Sequence, residues 1–204
     1  MGTVMKPMRT LVSMRNYIKG FERFESKAYL CPAGVWTIAF GATYYENGES
    51  VKEGDTISRI KGELLFNYHI AICENVLYSI FDLPIIEKLN VYQFSSLVSL
   101  VYNIGSGNFN KSNVARNIKE GNMIAAADSF MDHVYVYDRK KKIKRKLKGL
   151  VLRRSEERRI YITPEEIIAI RKRLSIQNIQ TAVLNKWYNH VQKNRFIMPK
   201  YINP

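Results

Sequence analysis

Three residues near the start of the chain have side chains that could act together in catalysis. Glu22 lies near the expected end of a helix, Cys31 follows nine positions later in a turn, and Thr37 comes six positions further on a strand. Their carboxyl, thiol and hydroxyl groups would meet if the strands fold back over the helix end. Glutamates on helices, cysteines near turns and threonines on strands are also common structural residues. The spacing alone therefore leaves both interpretations open.

The periodicity of the sequence predicts the elements that must position these residues. Apolar residues at three- to four-residue spacing over 8–24 predict an amphipathic helix. β-Branched and aromatic residues between the turn signals at 32–34 and 47–48 predict a small antiparallel sheet. From there the pattern is helical, and we expect Asp55 or Thr56 to cap a long helix.

The rest of the chain predicts further helices and a C-terminal extension. Helical runs are expected at 87–103, 111–120, 122–134 and 149–161. Thr163 and Pro164, followed by two glutamates, indicate a new helix start. The expected fold class is therefore α+β and mainly helical, with one domain at residues 1–162 and a helical extension of unassigned role at residues 163–204.

The composition excludes several classes of protein. An aromatic content of 12% opposes disorder, and two cysteines, Cys31 and Cys73, cannot form a disulfide framework. No stretch of 18 apolar residues predicts a membrane span, and basic residues interrupt the N-terminus where a signal peptide would need an apolar core. The histidines and cysteines lack metal-ligand spacing, so no metal or other cofactor is expected.

Positive charge is concentrated in one segment. The chain has 32 Lys and Arg against 18 Asp and Glu, a formal net charge of +14. Twelve of these basic residues and two of the glutamates lie at 139–159, which leaves +4 for the remaining residues. This excess favours an anionic partner such as nucleic acid, a membrane surface or an anionic cell-wall polymer.

Four motifs in order along the chain carry a resemblance to a known family. The first is IKGFERFESKAYLCPAGVWTIAFG, which contains Glu22, Cys31 and Thr37, and the others are VKEGDTIS, QFSSLVSLVYNIGSGNFNKS and GLVLRRSEE. Over residues 13–162 the chain resembles the phage-type lysozymes (endolysins) of glycoside hydrolase family 24. This resemblance implies a lysozyme-like fold with a C-terminal helical bundle. It also implies hydrolysis of the β-1,4 bond between N-acetylmuramic acid and N-acetylglucosamine in bacterial peptidoglycan.

The resemblance implies roles for individual residues. Glu22 matches the general acid that protonates the leaving oxygen. Cys31 stands where many relatives have Asp, and with Thr37 it would position water or stabilise the transition state. Tyr102 matches an aromatic position lining the sugar cleft, although it could equally be a core residue. Ser112 matches a hydroxyl position that contacts substrate.

The resemblance also implies where the protein works. We expect it to be made in the host cytoplasm and to reach the wall through a holin, or to travel as a virion component. Its partners would be peptidoglycan and, through the basic segment 139–148, anionic wall polymers. Relatives have a loop at this segment, near one end of the cleft.

Departures from the family pattern leave two other hypotheses. Ala42 stands where relatives commonly have His, and the region before Arg153 and Arg154 lacks a usual Trp. The second hypothesis is therefore a catalytically weakened lysozyme-fold module that binds cell wall or a virion partner. The third is a basic nucleic-acid-binding protein, although no motif for specific nucleic-acid recognition accompanies the charge.

Overall fold

The chain folds into an α+β structure in which helices predominate, as the sequence predicts. The computed structural model describes residues 7–31, 34–138 and 142–162. In chain order the elements are α1 (Val12–Glu22), β1 (Glu25–Leu30), β2 (Trp36–Ala39), α2 (Arg59–Ile80), α3 (Leu83–Lys88), α4 (Val91–Ile104), α5 (Ser106–Asn110), α6 (Asn113–Lys119), α7 (Met123–Ser129), a 3₁₀ helix (Phe130–His133), β3 (Tyr135–Asp138), β4 (Ile143–Lys146) and α8 (Lys148–Tyr161).

The predicted small sheet near the N-terminus is confirmed. β1 and β2 pair in antiparallel register, with Tyr29 opposite Thr37. The segment before α2 lies beside the other edge of β1, since the Ala28 N–H donates to the Asp55 carbonyl and the Ile57 N–H donates to the Ser26 carbonyl, both at 2.9 Å. These bonds fix β1 on both of its edges.

The cap of α2 is not the one expected, because Ser58 replaces Asp55 and Thr56 in that role. The Ser58 hydroxyl accepts from the Lys61 N–H at 3.3 Å, as an N-cap side chain does. The Asp55 carboxylate instead accepts from the Tyr45 hydroxyl and the Lys52 N–H, each at 2.9 Å. A side chain that stabilises its own loop in this way is no longer available to cap the helix.

α4 is the central helix of the bundle, and every residue from Gln93 to Val101 is buried. The expected helical run at 87–103 divides into α3 and α4 because Asn90 starts a new helix. Its side chain accepts from the Gln93 N–H, and the Gln93 side chain accepts from the Asn90 N–H, which together form a capping box. α6, α7 with the 3₁₀ helix, and α8 match the other predicted runs in position, whereas α5 forms where no helix was predicted.

The expected loop at 139–148 is partly wrong, because Ile143–Lys146 forms strand β4 and pairs antiparallel with β3. Aromatic and β-branched residues over 135–137 have the strand propensity that this pairing requires. Residues 139–141 and the predicted extension at 163–204 lie outside the described residues, so the domain boundary stays a prediction. In the described part of the chain, no helix is long and apolar enough to cross a membrane.

α2 packs closely against the hairpin of β1 and β2. A Cβ atom at Gly62 would lie 2.5 Å from the Phe24 ring and 3.3 Å from the Ala39 Cβ. The Phe24 and Phe40 rings contact each other with centroids 5.4 Å apart, and the Arg59 guanidinium lies over both. The missing side chain at residue 62 therefore lets α2 approach the hairpin.

We expect Gly62→Ala to lower the free energy of unfolding by about 1–3 kcal/mol, because the added methyl group overlaps the Phe24 ring. Gly20→Ala on α1 is the matched control, since a Cβ there would meet nothing within 4 Å. The control should leave stability unchanged or raise it by up to about 1 kcal/mol. Urea unfolding measures both, and equal effects of the two variants would contradict the packing argument.

Glu74 of α2 anchors the segment that leads into α1. Its carboxylate accepts from the Thr10 N–H and hydroxyl and from the Arg9 guanidinium, all at 2.8 Å. Burial acts to raise the pKa of Glu74, but these hydrogen bonds outweigh it and hold the pKa below its ordinary value of about 4.5. The ionised form therefore stabilises the fold at neutral pH and loses this contribution as pH falls through the lowered pKa.

We expect Glu74→Gln to lower the free energy of unfolding at pH 7 by about 1–3 kcal/mol. The difference from wild type should shrink as the pH is lowered below about 4.5, because wild-type Glu74 then becomes protonated. Urea unfolding at pH 7 and at successively lower pH tests this. Exposed Glu53→Gln is the control and should show little difference at any pH. A Glu74→Gln deficit that stays constant with pH would contradict the assignment.

Candidate active site

Glu22 is the last residue of α1, and the backbone turns away immediately after it. Arg23 takes a left-handed conformation with φ 51°, and its N–H donates to the Lys19 carbonyl, which closes the helix. The Glu22 side chain keeps 21% of its surface exposed. Its Oε1 atom accepts from Nη1 of Arg153 at 2.5 Å. The helix end thus presents a carboxyl group with one oxygen already held.

Gly41 makes room for the other oxygen of Glu22. Its φ of +87° belongs to the left-handed region, and a Cβ atom there would lie 3.2 Å from Glu22 Oε2. The preceding Phe40 carbonyl accepts from the Tyr102 hydroxyl at 2.6 Å, which fixes the turn from α4. The glycine and the tyrosine together set the surroundings of Oε2.

Cys31 and Thr37 meet at one backbone carbonyl. The Val35 carbonyl accepts from the Cys31 N–H and from the Thr37 hydroxyl, both at 3.0 Å. Thr37 is 4% exposed, so its hydroxyl is held in place. Because its proton points to Val35, the hydroxyl oxygen retains the ability to accept a hydrogen bond.

Tyr29 connects Glu22 with the other two predicted residues. It lies directly opposite Thr37 in the β1–β2 register. Burial raises the pKa of Tyr29, and the nearby Glu22 carboxyl and Cys31 thiol raise it further. Glu22 and Cys31 are therefore both close enough to act on the same phenol. Cys31 and Thr37 thus share the Val35 carbonyl, and Glu22 lies at the adjoining end of α1, while the catalytic roles of all three stay predictions.

Tyr102 contributes mainly to packing. Its ring contacts Phe66 with centroids 5.6 Å apart, and its hydroxyl is bound to Phe40. Burial raises the pKa of Tyr102, and Glu22 is the next contributor, which places this tyrosine near the site. These contacts give Tyr102 a structural function, and its contact with sugar stays a prediction.

Ser112 is the N-cap of α6. Its hydroxyl accepts from the Ala115 N–H at 3.1 Å, and the residue is buried. This hydrogen bond explains a hydroxyl residue at the position without any ligand. The substrate contact implied by the resemblance stays a prediction.

Arg153 joins Glu22 to a buried cluster of charges that the sequence reasoning missed. Its Nε lies 3.3 Å from Glu157, whose carboxylate also accepts from the Ser99 hydroxyl at 2.6 Å and lies 2.6 Å from Nε of Arg154. Glu157 is fully buried. Burial raises the pKa of Glu157, and the two guanidinium groups oppose that effect. The cluster therefore connects α8 to α4 and to the end of α1.

Part of this cluster was visible in the sequence. Arg153, Arg154 and Glu157 have the i, i+3 and i, i+4 spacing of side chains that meet on one helix face. Such a pattern usually indicates a solvated pair, because most charged residues lie at the surface. Only the packing of α8 on α4 shows that this face is buried.

A family model matches most of the chain. Residues 19–157 match the phage lysozyme model. The endolysin of Acyrthosiphon pisum secondary endosymbiont phage 1 is 29% identical over 147 residues, which cover 71% of this chain and 91% of that protein. The endolysin of Salmonella phage P22 is 36% identical over 105 residues, or 52% of this chain and 69% of that protein.

Solved structures share the fold. An endolysin from Escherichia coli O157:H7 phage FAHEc1 superposes with a TM-score of 0.65 and 25% identity, covering 79% of this chain and 96% of that one. The muramidase domain of SpmX from Asticaccaulis excentricus gives the same TM-score at 24% identity, covering 77% and 99%. With its lysozyme-like fold and a family match that extends over most of its length, the chain belongs to the phage lysozyme family, whose members hydrolyse peptidoglycan.

Proposed function

We propose that the chain cleaves the β-1,4 bond between N-acetylmuramic acid and N-acetylglucosamine, with Glu22 as the general acid. The observation that carries this proposal is the placement of Glu22, with Oε1 held by Arg153 and Oε2 facing Gly41. Glycoside hydrolysis needs a carboxyl group fixed in this way to protonate the leaving oxygen. We assign this catalytic domain to residues 1–162.

The two oxygens of Glu22 have different roles in this mechanism. A guanidinium group only donates hydrogen bonds, so Oε1 must act as an acceptor toward Arg153. The acidic proton therefore belongs on Oε2, on the side of Gly41. As the bond between the anomeric carbon and the bridging oxygen breaks, that oxygen takes the proton from Oε2.

Thr37 and Cys31 would hold the attacking water. With its proton donated to Val35, the Thr37 hydroxyl can accept a hydrogen bond from water and orient the water oxygen toward the anomeric carbon. The Cys31 N–H is anchored at the same carbonyl, and in this mechanism the Cys31 thiol would help Thr37 to hold the water. The water oxygen bonds to the anomeric carbon, keeps one proton as the new hydroxyl group and releases the other to solvent, and solvent returns a proton to Oε2 of Glu22.

The alternative hypothesis, a module that only binds the wall, predicts as much affinity for peptidoglycan as the enzyme hypothesis does, but no hydrolysis. A lysozyme-fold module of this kind would bind purified peptidoglycan but release no reducing ends. The arrangement around Glu22 favours the enzyme, because binding a glycan does not require a carboxyl group held by a buried arginine. Measuring binding and reducing-end release on the same preparation separates the two hypotheses.

We expect Glu22→Gln to abolish clearing of purified peptidoglycan, with at least a hundredfold loss of rate, because the amide cannot supply the proton. The amide oxygen can still accept from Arg153, so the fold should be retained. Glu25→Gln, three residues away on an exposed position, is the matched control and should keep near wild-type activity. Turbidity loss and thermal unfolding are measured for both variants. Equal clearing by wild type and Glu22→Gln would refute the role of Glu22.

We expect Thr37→Val to reduce turnover by about 10²–10⁴-fold while keeping the shape of the buried side chain. Thr37→Ser retains the hydroxyl and should restore most of the activity. The comparison uses release of reducing ends, with binding to peptidoglycan measured separately. A Val variant as active as the Ser variant would show that the hydroxyl is not needed for positioning water.

A further inference from the structure

The hairpin of β3 and β4 exposes apolar and aromatic side chains outside the proposed catalytic site. Between 37% and 58% of the surface of each is accessible, and they are Tyr135, Val136, Tyr137 and Ile143. A short two-stranded hairpin gains little stability from leaving such groups in water. Neighbouring exposed apolar groups of this kind commonly indicate an interaction surface.

Basic residues accompany these side chains in a regular arrangement. Tyr135 lies opposite Lys146, and Tyr137 lies opposite Lys144. Since alternate residues of a strand share a face, one face of the hairpin carries two tyrosines and two lysines. On the other face Val136 lies opposite Arg145. Tyr135, Val136 and Tyr137 are therefore each paired with a cation, whereas Ile143 lies opposite Asp138.

The base of the hairpin is fixed to the rest of the domain. The Leu147 N–H donates to the carbonyl of the buried Val134 at 3.0 Å, and α8 begins at the next residue. α8 also carries Arg153, which holds Glu22. A ligand on the hairpin would thus be held at a defined position relative to the proposed catalytic acid.

The combination of side chains distinguishes between anionic partners. A hydrated wall polymer or a nucleic-acid backbone would attract the lysines but offers no partner for Val136 and Ile143. A bilayer interface surrounds a hairpin that enters it and so accommodates both faces. The lysines and tyrosines of one face bind anionic headgroups and lie at the interface, and the aliphatic groups of the other face enter the acyl boundary. We propose that the β3–β4 hairpin docks the protein on an anionic phospholipid bilayer.

Vesicle flotation with the full chain tests this proposal. We expect binding to vesicles of phosphatidylglycerol mixed with phosphatidylcholine, and little binding to phosphatidylcholine alone. Two variants separate the contributions. Tyr137→Ser/Ile143→Ser removes apolar groups and keeps the cations, whereas Lys144→Gln/Lys146→Gln does the opposite. Each should lower the partition coefficient by about tenfold, since both kinds of contact contribute to interfacial binding.

Matched controls come from α2, where Ile60 is 75% exposed and its neighbour Lys61 is also exposed. Ile60→Ser and Lys61→Gln should bind vesicles as wild type does. Glu22→Gln should also bind normally, so a failure of the proposed hydrolysis would not be confused with a failure of docking. The hairpin variants should keep their activity on short soluble glycans, which verifies that they fold.

Two results would overturn the proposal. One is vesicle binding by both hairpin variants at the wild-type level. The other is tight binding of wild type to purified anionic wall polymer or DNA without binding to anionic vesicles, which would assign the hairpin to a hydrated polyanion instead.

Discussion

The rest of the structure depends on the neutralisation of two buried arginines by Glu157. Burying an ion is costly unless an opposite charge and hydrogen bonds compensate it, so Arg153, Arg154 and Glu157 must reach the interior together. Their partners lie on different elements, with Ser99 on α4 and Glu22 at the end of α1. An arrangement of these helices that separated the partners would leave an unpaired buried charge. The position of the half-buried Glu22 carboxyl group is thus a consequence of how the core packs.

A second constraint, the packing of the β1–β2 hairpin on α2 and α4, positions the hairpin side of the site. The hairpin of β1 and β2 rests on α2 at Gly62, while Tyr102 of α4 binds the Phe40 carbonyl at the hairpin's end. The turn that follows β2, formed by Phe40 and Gly41, lies against the Glu22 carboxyl group. Two helices therefore act on a single turn, and that turn places the hairpin residues beside the end of α1.

The sequence predicted the fold class, the order of most helices and the N-terminal sheet, because each follows from local periodicity and turn residues. It also singled out Glu22, Cys31 and Thr37, of which Cys31 and Thr37 share the Val35 carbonyl, and their catalytic roles stay predictions. It did not predict Arg153 as the partner of Glu22, since 131 positions separate them and a helical Arg-Arg-x-x-Glu pattern normally indicates a solvated face. The cap of α2 was misassigned because Ser58 and Asp55 have equal capping propensity, and only the loop hydrogen bonds of Asp55 decide between them. The β3–β4 pairing was missed because the loop at 139–148 was expected from the resemblance to relatives, not from the strand propensity of the residues before it.

The hydrogen bonds at the Val35 carbonyl would let the side chain of residue 31 change without disturbing its surroundings. Residue 31 is anchored there by its backbone N–H, whereas Thr37 is anchored by its side chain. Any residue type except proline can supply that N–H, so exchanging a thiol for a carboxylate changes the chemistry at this point and leaves the anchor of Thr37 intact. The main chain thus separates the geometry of this turn from the chemical identity of residue 31, so the side chain there can vary while the framework stays fixed.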